Sequence, residues 1–234
     1  MVYTDLERVL EILGEAEGEY VGQWKMDQRH GNGLMTWPNG FKYEGRFTNN
    51  KRHHVTGKLF FPNGNIYDGG WVDDKMQGVG SLATPFGVKF TARFISGAAE
   101  DSGILEYEGN VYEGECQDLK PHGKGKLRRK SGDVYEGEMK FGNMTGYGKI
   151  SFTNGSWYIG EVYNGCRFGK GKMVYPSGNV YEGSWDKDMR EGHGTYSDKN
   201  GSALYSGEWR SDKQEGKALI KPKPKHRVRL VMKT

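Results

Sequence analysis

The sequence predicts an all-β chain: an elongated, twisted, single-layer antiparallel sheet of tandem β-hairpins behind a short N-terminal capping helix. Three observations carry this reading. The chain restarts about every 23 residues, short segments in each repeat alternate apolar and polar side chains, and Asn-Gly or Ser-Gly dipeptides recur between them. A fixed period outranks other sequence signals because it decides the architecture.

The repeats start at Tyr20, Tyr43, Tyr67, Phe90, Tyr112, Tyr135, Tyr158, Tyr181 and Tyr205, with spacings of 22 to 24 residues. Nine repeats, the last partial, cover residues 20–220. Each opens with aromatic-x-Gly-x-apolar, as in Tyr181-Glu182-Gly183-Ser184-Trp185, and continues with Gly-x-apolar-x-aromatic, as in Gly171-Lys172-Met173-Val174-Tyr175. Strict alternation over about five residues marks a half-buried strand. Between the two segments a polar turn is expected, ending in Gly-x-Gly as in Arg29-His30-Gly31-Asn32-Gly33. After the second come Pro38-Asn39-Gly40, Pro62-Asn63-Gly64, Asn154-Gly155 and Pro176-Ser177-Gly178, tight turns whose Asn and Gly tolerate positive φ.

Tyr-Glu-Gly-x-Trp followed by Gly-x-Gly, at a period near 23, resembles the MORN (membrane occupation and recognition nexus) repeat. The resemblance covers about six-sevenths of the chain. It implies a long, twisted, single-layer sheet and a non-enzymatic scaffolding or anchoring role, and it leaves the partner open. Some MORN arrays carry a kinase or methyltransferase domain; here the repeats leave no room for one.

Composition fits an array with little closed core. Nearly all of the 37 glycines sit at fixed repeat positions, and aromatic content is high beside modest apolar content. No run is apolar enough to span a bilayer, and Asp5, Glu7, Arg8 and Glu11 interrupt any signal-peptide core. Cys116, at the position Trp holds elsewhere, is expected to be a reduced core residue, which with Cys166 as the other cysteine points to the cytosol. The sequons at Asn143, Asn154 and Asn200 read as turn residues.

The two ends differ from the array. In residues 1–19, Thr4-x-x-Glu7 reads as a capping box and Gly14 as a stop, with Leu6, Val9, Leu10 and Leu13 on one helical face. Such a helix either caps the open edge of the first hairpin or docks a partner. The tail, residues 221–234, holds Lys221, Lys223, Lys225, Arg227, Arg229 and Lys233 with no acid. The whole chain has 34 basic and 30 acidic residues, so without the tail's six the body is left with 28 against 30. The tail is expected either to bind an acidic surface, such as acidic protein tails or anionic lipid, or to act only as a solvated terminus. Nucleic acid is the least favoured partner. Repeats three and four depart from the pattern: Thr84-Pro85-Phe86-Gly87 replaces Pro-Asn-Gly, Ala92 replaces the strand glycine, and the segment before Gly103 has lost one glycine. Drift in a tolerant array and a local bend or contact both account for this.

On the pleat, the aromatic, Gly and Trp or Phe positions share one face, while Glu, Lys, Ser and Thr dominate the other. One layer cannot fully dry an apolar face, so that face is expected to form an aromatic groove, unless the rings bury one another completely. The groove would present Tyr112, Tyr135, Tyr158, Tyr181 and Tyr205 as a ladder, Trp185 and Trp209 beside its end, and Glu113, Glu136 and Glu182 for a guest's basic residues. Enzyme signals fail: Gly192-His193-Gly194 opens no helix, there is no phosphate-binding Gly-x-x-x-x-Gly-Lys loop, and His30, His53 and His122 share one repeat position. No catalytic residue, metal or cofactor is expected. Two function classes remain. One is a scaffold holding a peptide or helix of another protein, within a cytoskeletal or ciliary (axonemal) assembly by analogy with the family. The other is a peripheral adaptor on anionic phospholipid. A homodimer is also left open.

Overall fold

The computed structural model describes Leu13 and residues 17–216. The expected basic tail lies outside the described residues, as does the N-terminal helix apart from Leu13. Leu13 is buried, and its carbonyl accepts a hydrogen bond from the Trp37 indole (3.1 Å).

The chain forms two compact units divided between Asn143 and Met144. The first contains β1 (Glu19–Lys25), β2 (Gln28–Thr36), β3 (Lys42–Thr48), β4 (Lys51–Phe60), β5 (Ile66–Val72), β6 (Lys75–Ala83), β7 (Lys89–Ile95), β8 (Ala98–Tyr107), β9 (Asn110–Gln117), β10 (Lys120–Arg128) and β11 (Val134–Lys140). The second comprises β12 (Asn143–Ser151), which begins at the division, β13 (Trp157–Tyr163), β14 (Cys166–Val174), β15 (Val180–Asp186), β16 (Met189–Ser197), β17 (Ala203–Arg210) and β18 (Lys213–Glu215). Within each unit every strand pairs antiparallel with its neighbours in the chain.

Two turn types alternate. Within a repeat the strands are joined by two residues with positive φ, such as Asp73 (46°) and Asp74 (71°), the type I′ geometry that matches strand twist. Between repeats lies a longer loop. In Trp37–Phe41, Gly40 N–H bonds to Trp37 C=O, and Gly40 takes φ 86°.

This placement corrects one expectation: where a repeat carries Gly-x-Gly, as in β2, β6, β10, β12, β14 and β16, it lies inside the second strand rather than in the turn. Its first glycine forms a bulge. Gly160 pairs with Gly171 but Val162 pairs with Arg167, so residues 168–170 are bulged, with Gly169 at φ 57°. The Glu161 carboxylate accepts from the bulged Lys170 N–H at 2.8 Å, as Glu115 does from Lys124 and Gln23 from Asn32. His30, His53 and His122 accordingly sit in β2, β4 and β10 rather than in turns.

The second glycine permits a close approach. Gly171 lies between Gly160 and Gly183 on the neighbouring strands, and the Tyr158 ring lies over it. A Cβ there would collide with the Tyr158 hydroxyl and ring. Repeat four shows the same constraint by exception. Phe90 replaces Tyr, so the hydroxyl is gone, and Ala92 fits where glycine stands elsewhere, still paired with Gly80 and Gly103. The spacing of 22 also has a cause: Glu108-Gly109 makes a two-residue turn in place of the longer loop.

Gly183→Ala should destabilise the chain by roughly 1–3 kcal/mol through overpacking, because its Cβ would lie 2.5 Å from the Gly194 Cα and 2.6 Å from the Tyr181 hydroxyl oxygen. Adding Tyr181→Phe should recover part of that loss, although alone it removes a hydrogen bond contributing ~1 kcal/mol. Denaturant unfolding of the two single variants and the double variant measures the coupling.

Candidate binding surfaces

The aromatic face is closed. Tyr112, Tyr135, Tyr158, Tyr181, Tyr205, Trp185 and Trp209 are all buried. The hydroxyls of Tyr135, Tyr158, Tyr181 and Tyr205 donate to the carbonyls of Glu138, Glu161, Ser184 and Glu208, three residues on, at 2.7–2.9 Å. Tyr112 donates to the His122 carbonyl at 2.9 Å. Burial raises the hydroxyl pKa of Tyr112 and Tyr158 and pushes Tyr181 up to about 12. The expected ladder exists as an internal zipper rather than as an open groove. Tyr158, Trp185, Tyr181, Trp209 and Tyr205 follow one another in T-shaped contacts with centroids 5.1–5.4 Å apart. The physical reason is side-chain bulk at the fourth position after the Tyr: Trp185 and Trp209 each span to the Tyr of the preceding repeat, and in repeats six and seven the buried Met139 and Val162 hold that position.

A clasp between consecutive repeats lies beside the zipper and was not read from the sequence. Arg52, Arg167 and Arg190 each follow the two-residue turn of their own repeat. Each Nε donates to the carboxylate of Asp74, Asp188 or Asp212, the second turn residue of the next repeat, at 2.8–2.9 Å. Each Nη2 reaches the carbonyl of the same Asp (2.8–3.2 Å), and that carboxylate also accepts the backbone N–H of the arginine (2.9–3.0 Å). The guanidinium lies over the Trp of the next repeat, 4.8 Å from Trp71, 4.3 Å from Trp185 and 4.1 Å from Trp209. This combines a charge-assisted hydrogen bond with a cation–π contact. Where Met76, Pro121 or Met144 replaces the arginine, Gly97, Gly142 or Gly165 replaces the aspartate. That co-occurrence is the signal the sequence carries for the clasp.

Among the described residues the opposite face is open, and each unit bears a groove on it. A groove of about 760 Å³ in the first unit is floored by Gly33, Gly45 and Gly57, with Val21, Leu34, Glu44, Arg46 and Lys58 among its walls. One of about 520 Å³ in the second is floored by Gly160, Gly171, Gly183 and Gly194, with Tyr147, Ile159, Lys170, Lys172, Glu182 and His193 around it. Tyr147 and Val21 are exposed. Glu113, Glu136 and Glu182 point outward on this face, away from the buried tyrosines. Lys126 meets Glu136 at 2.8 Å and Lys172 meets Glu182 at 3.9 Å. The structure therefore separates the glutamates and tyrosines that the sequence grouped into one site.

Among the described residues no group of three His, Cys, Asp or Glu could hold a metal ion. Neither Cys116 nor Cys166 forms a disulfide, and burial pushes the Cys116 thiol up to about 11.

Arg52→Ala should cost about 3 kcal/mol or more, because Arg52 is buried and its removal strands the Asp74 carboxylate. Arg190→Ala should cost less, its pair being more exposed. The Asp188 carboxyl opposes a different load: burial favours its protonated form, but hydrogen bonds and charge from Arg167 outweigh this and lower its pKa. A folded-state pKa below the unfolded value gives stability that is complete above the unfolded pKa, near ~4, and is lost as pH falls through the folded pKa. Asp188→Asn should therefore flatten the acid limb of a stability–pH curve while also lowering stability at pH 7.

The sequence pattern of the MORN repeat matches residues 20–42, 43–66, 67–85, 112–134, 135–157, 158–180, 181–203 and 205–219. The unmatched stretch contains Phe90, Ala92 and the shortened turn of repeat four. No curated protein is similar enough in sequence to match. Among solved structures, the chain is similar to the TCP domain of Drosophila melanogaster SAS-4, solved in complex with a proline-rich motif of Ana2. The two are 16% identical over 81% of this chain and 89% of that one, with a TM-score of 0.33. It is also similar to the TCP10 domain of Danio rerio CPAP, solved in complex with a STIL peptide, at 14% identity over 82% and 100% of the chains and a TM-score of 0.27. Eight matched repeats span well over half of the sequence, and the chain belongs to the MORN repeat family.

Proposed function

We propose that the chain is a non-enzymatic scaffold that holds a segment of a partner protein on its glycine-floored face. The observation that carries this reading is the contrast between the two faces. The aromatic face is filled by its own side chains, whereas the opposite face keeps grooves with apolar pads and charged walls. Bare glycine backbone lets a guest chain approach closely between the flanking side chains. The guest is an extended peptide or amphipathic helix with apolar residues for Tyr147 and Ile159 and basic residues for Glu182. A cytoskeletal or ciliary assembly is the setting we assign, on the resemblance of the repeat alone. The basic tail supports a second, additive contact with an acidic surface such as anionic lipid.

Partner proteins captured by the parent chain from the source cells should be lost from the double variant Tyr147→Ala, Glu182→Lys. Anchors of this kind typically contribute ~2 kcal/mol or more. Tyr158→Phe, which alters only the closed face, should retain them if the variant stays folded. An unchanged partner set in the groove variant would remove the groove from the proposal. Binding to anionic vesicles should weaken steeply as salt rises and disappear when residues 221–234 are deleted.

A further inference from the structure

The clasp has an unfilled copy. Repeat one carries its acceptor half: Trp24 holds the position of Trp71, Trp185 and Trp209, and Asp27 holds that of Asp74, Asp188 and Asp212. The local backbone is the same, since Met26 and Asp27 form the two-residue turn with φ 50° and 57°. The arginine half would come from a strand on the outer edge of β1, and among the described residues β1 pairs with β2 alone. The consequence appears in exposure. Trp24 is 59% exposed, against 1–3% for the three tryptophans that lie under an arginine. Its ring touches Tyr20 in a T-shaped contact at 5.1 Å and leaves the other side bare. Among the described residues no side chain pairs with the Asp27 carboxylate.

We propose that Trp24, Asp27 and the outer edge of β1 form an arginine socket that takes an extended strand of a partner protein. Two of the three filled copies share one form, which specifies the occupant; in the third, β4, His54 takes the place of the first glycine. In β14 and β16 the arginine is followed by Gly-x-Gly and then an apolar or aromatic residue, Arg167-Phe168-Gly169-Lys170-Gly171-Lys172-Met173 and Arg190-Glu191-Gly192-His193-Gly194-Thr195-Tyr196. In the register onto the next strand, the first glycine faces Trp, the second faces the strand glycine and the apolar residue faces Tyr. On β1 those positions are Trp24, Gly22 and Tyr20. In both of these copies a glycine stands opposite the strand glycine, which on β1 is Gly22. The occupant is therefore a strand of the form Arg-x-Gly-x-Gly-x-apolar, added edge to edge. A second copy of this chain stacked head to tail does not meet the requirement. Its last described strand, β18, puts Gln214 opposite Trp209, where Arg190 stands opposite Trp185. Unlike the grooves, this site lies on the sheet edge, so it does not depend on the function proposed above.

The test uses the full chain and a labelled nine-residue peptide with the sequence of β16, MREGHGTYS, followed by fluorescence anisotropy. Saturable binding is expected, weakened about tenfold or more when the peptide arginine becomes alanine, and likewise by Asp27→Asn or Trp24→Ala in the chain. Trp24 is exposed on β1 and Asp27 in the turn that follows it, and unchanged melting curves establish that the variants are folded. Acrylamide quenching supplies a second reading, because peptide should shield the one highly exposed edge tryptophan in the parent and have no such effect in Trp24→Ala. Equal binding of the arginine-free peptide, or no saturation below about 1 mM, would overturn the socket. Self-association abolished by Trp24→Ala would assign it to a second copy, and markedly tighter peptide binding after deletion of residues 221–234 would assign it to the chain's own tail. Either result would overturn a foreign partner.

Discussion

The structure depends on one close approach, a tyrosine ring laid flat over paired glycines on adjacent strands. The ring sits where a Cβ would otherwise be, and its hydroxyl returns to a backbone carbonyl of the same strand. Aromatic bulk is thereby buried within a single sheet, with no second sheet stacked on it. The T-shaped contacts to the neighbouring Trp then follow, since each Trp fills the space between successive Tyr rings. Repeat four obeys the same rule with its terms exchanged: without the hydroxyl, alanine replaces one glycine.

The same geometry decides which face is available. Burying the rings against glycine commits the aromatic face to stability, and the bare backbone is left on the other side. The bulge at Gly-x-Gly needs a cap for its amide, which explains why a glutamate or glutamine stands at the fourth position of several first strands. Recurrent acids in this chain therefore have two different roles. Glu115 and Glu161 close bulges, whereas Glu136 and Glu182 sit on the open face beside lysines.

The clasp joins one repeat to the next by a different means. Antiparallel pairing runs across every repeat junction, but the Arg–Asp–Trp set is present at some, while at others Met or Pro with Gly takes its place. Junctions are therefore unequal in strength, and a nearest-neighbour account of array stability has to use different interface terms along the chain. An array of this kind also has an acceptor end and a donor end. A half-clasp at β1 is the direct result of that polarity.

The sequence by itself determined the hairpins, their number and their two faces. A 23-residue period with alternating strands and turn dipeptides has no other stable arrangement, because a register slip would turn every aromatic ring to solvent. It did not determine where Gly-x-Gly lies, since a bulge and a turn ask for the same positive φ. Nor did it determine whether the aromatic face is open. That outcome depends on whether the side chain at the fourth position after each Tyr, Trp in some repeats and Phe47, Met139 or Val162 in others, reaches the Tyr of the preceding repeat, a distance set by strand twist and visible only once the strands are placed. The pairing of Arg190 with Asp212, 22 residues further along, was likewise hidden in two polar turns, because the contact joins residues of different repeats. Tertiary structure alone made a clasp of them, and it left Trp24 and Asp27 as its unfilled copy.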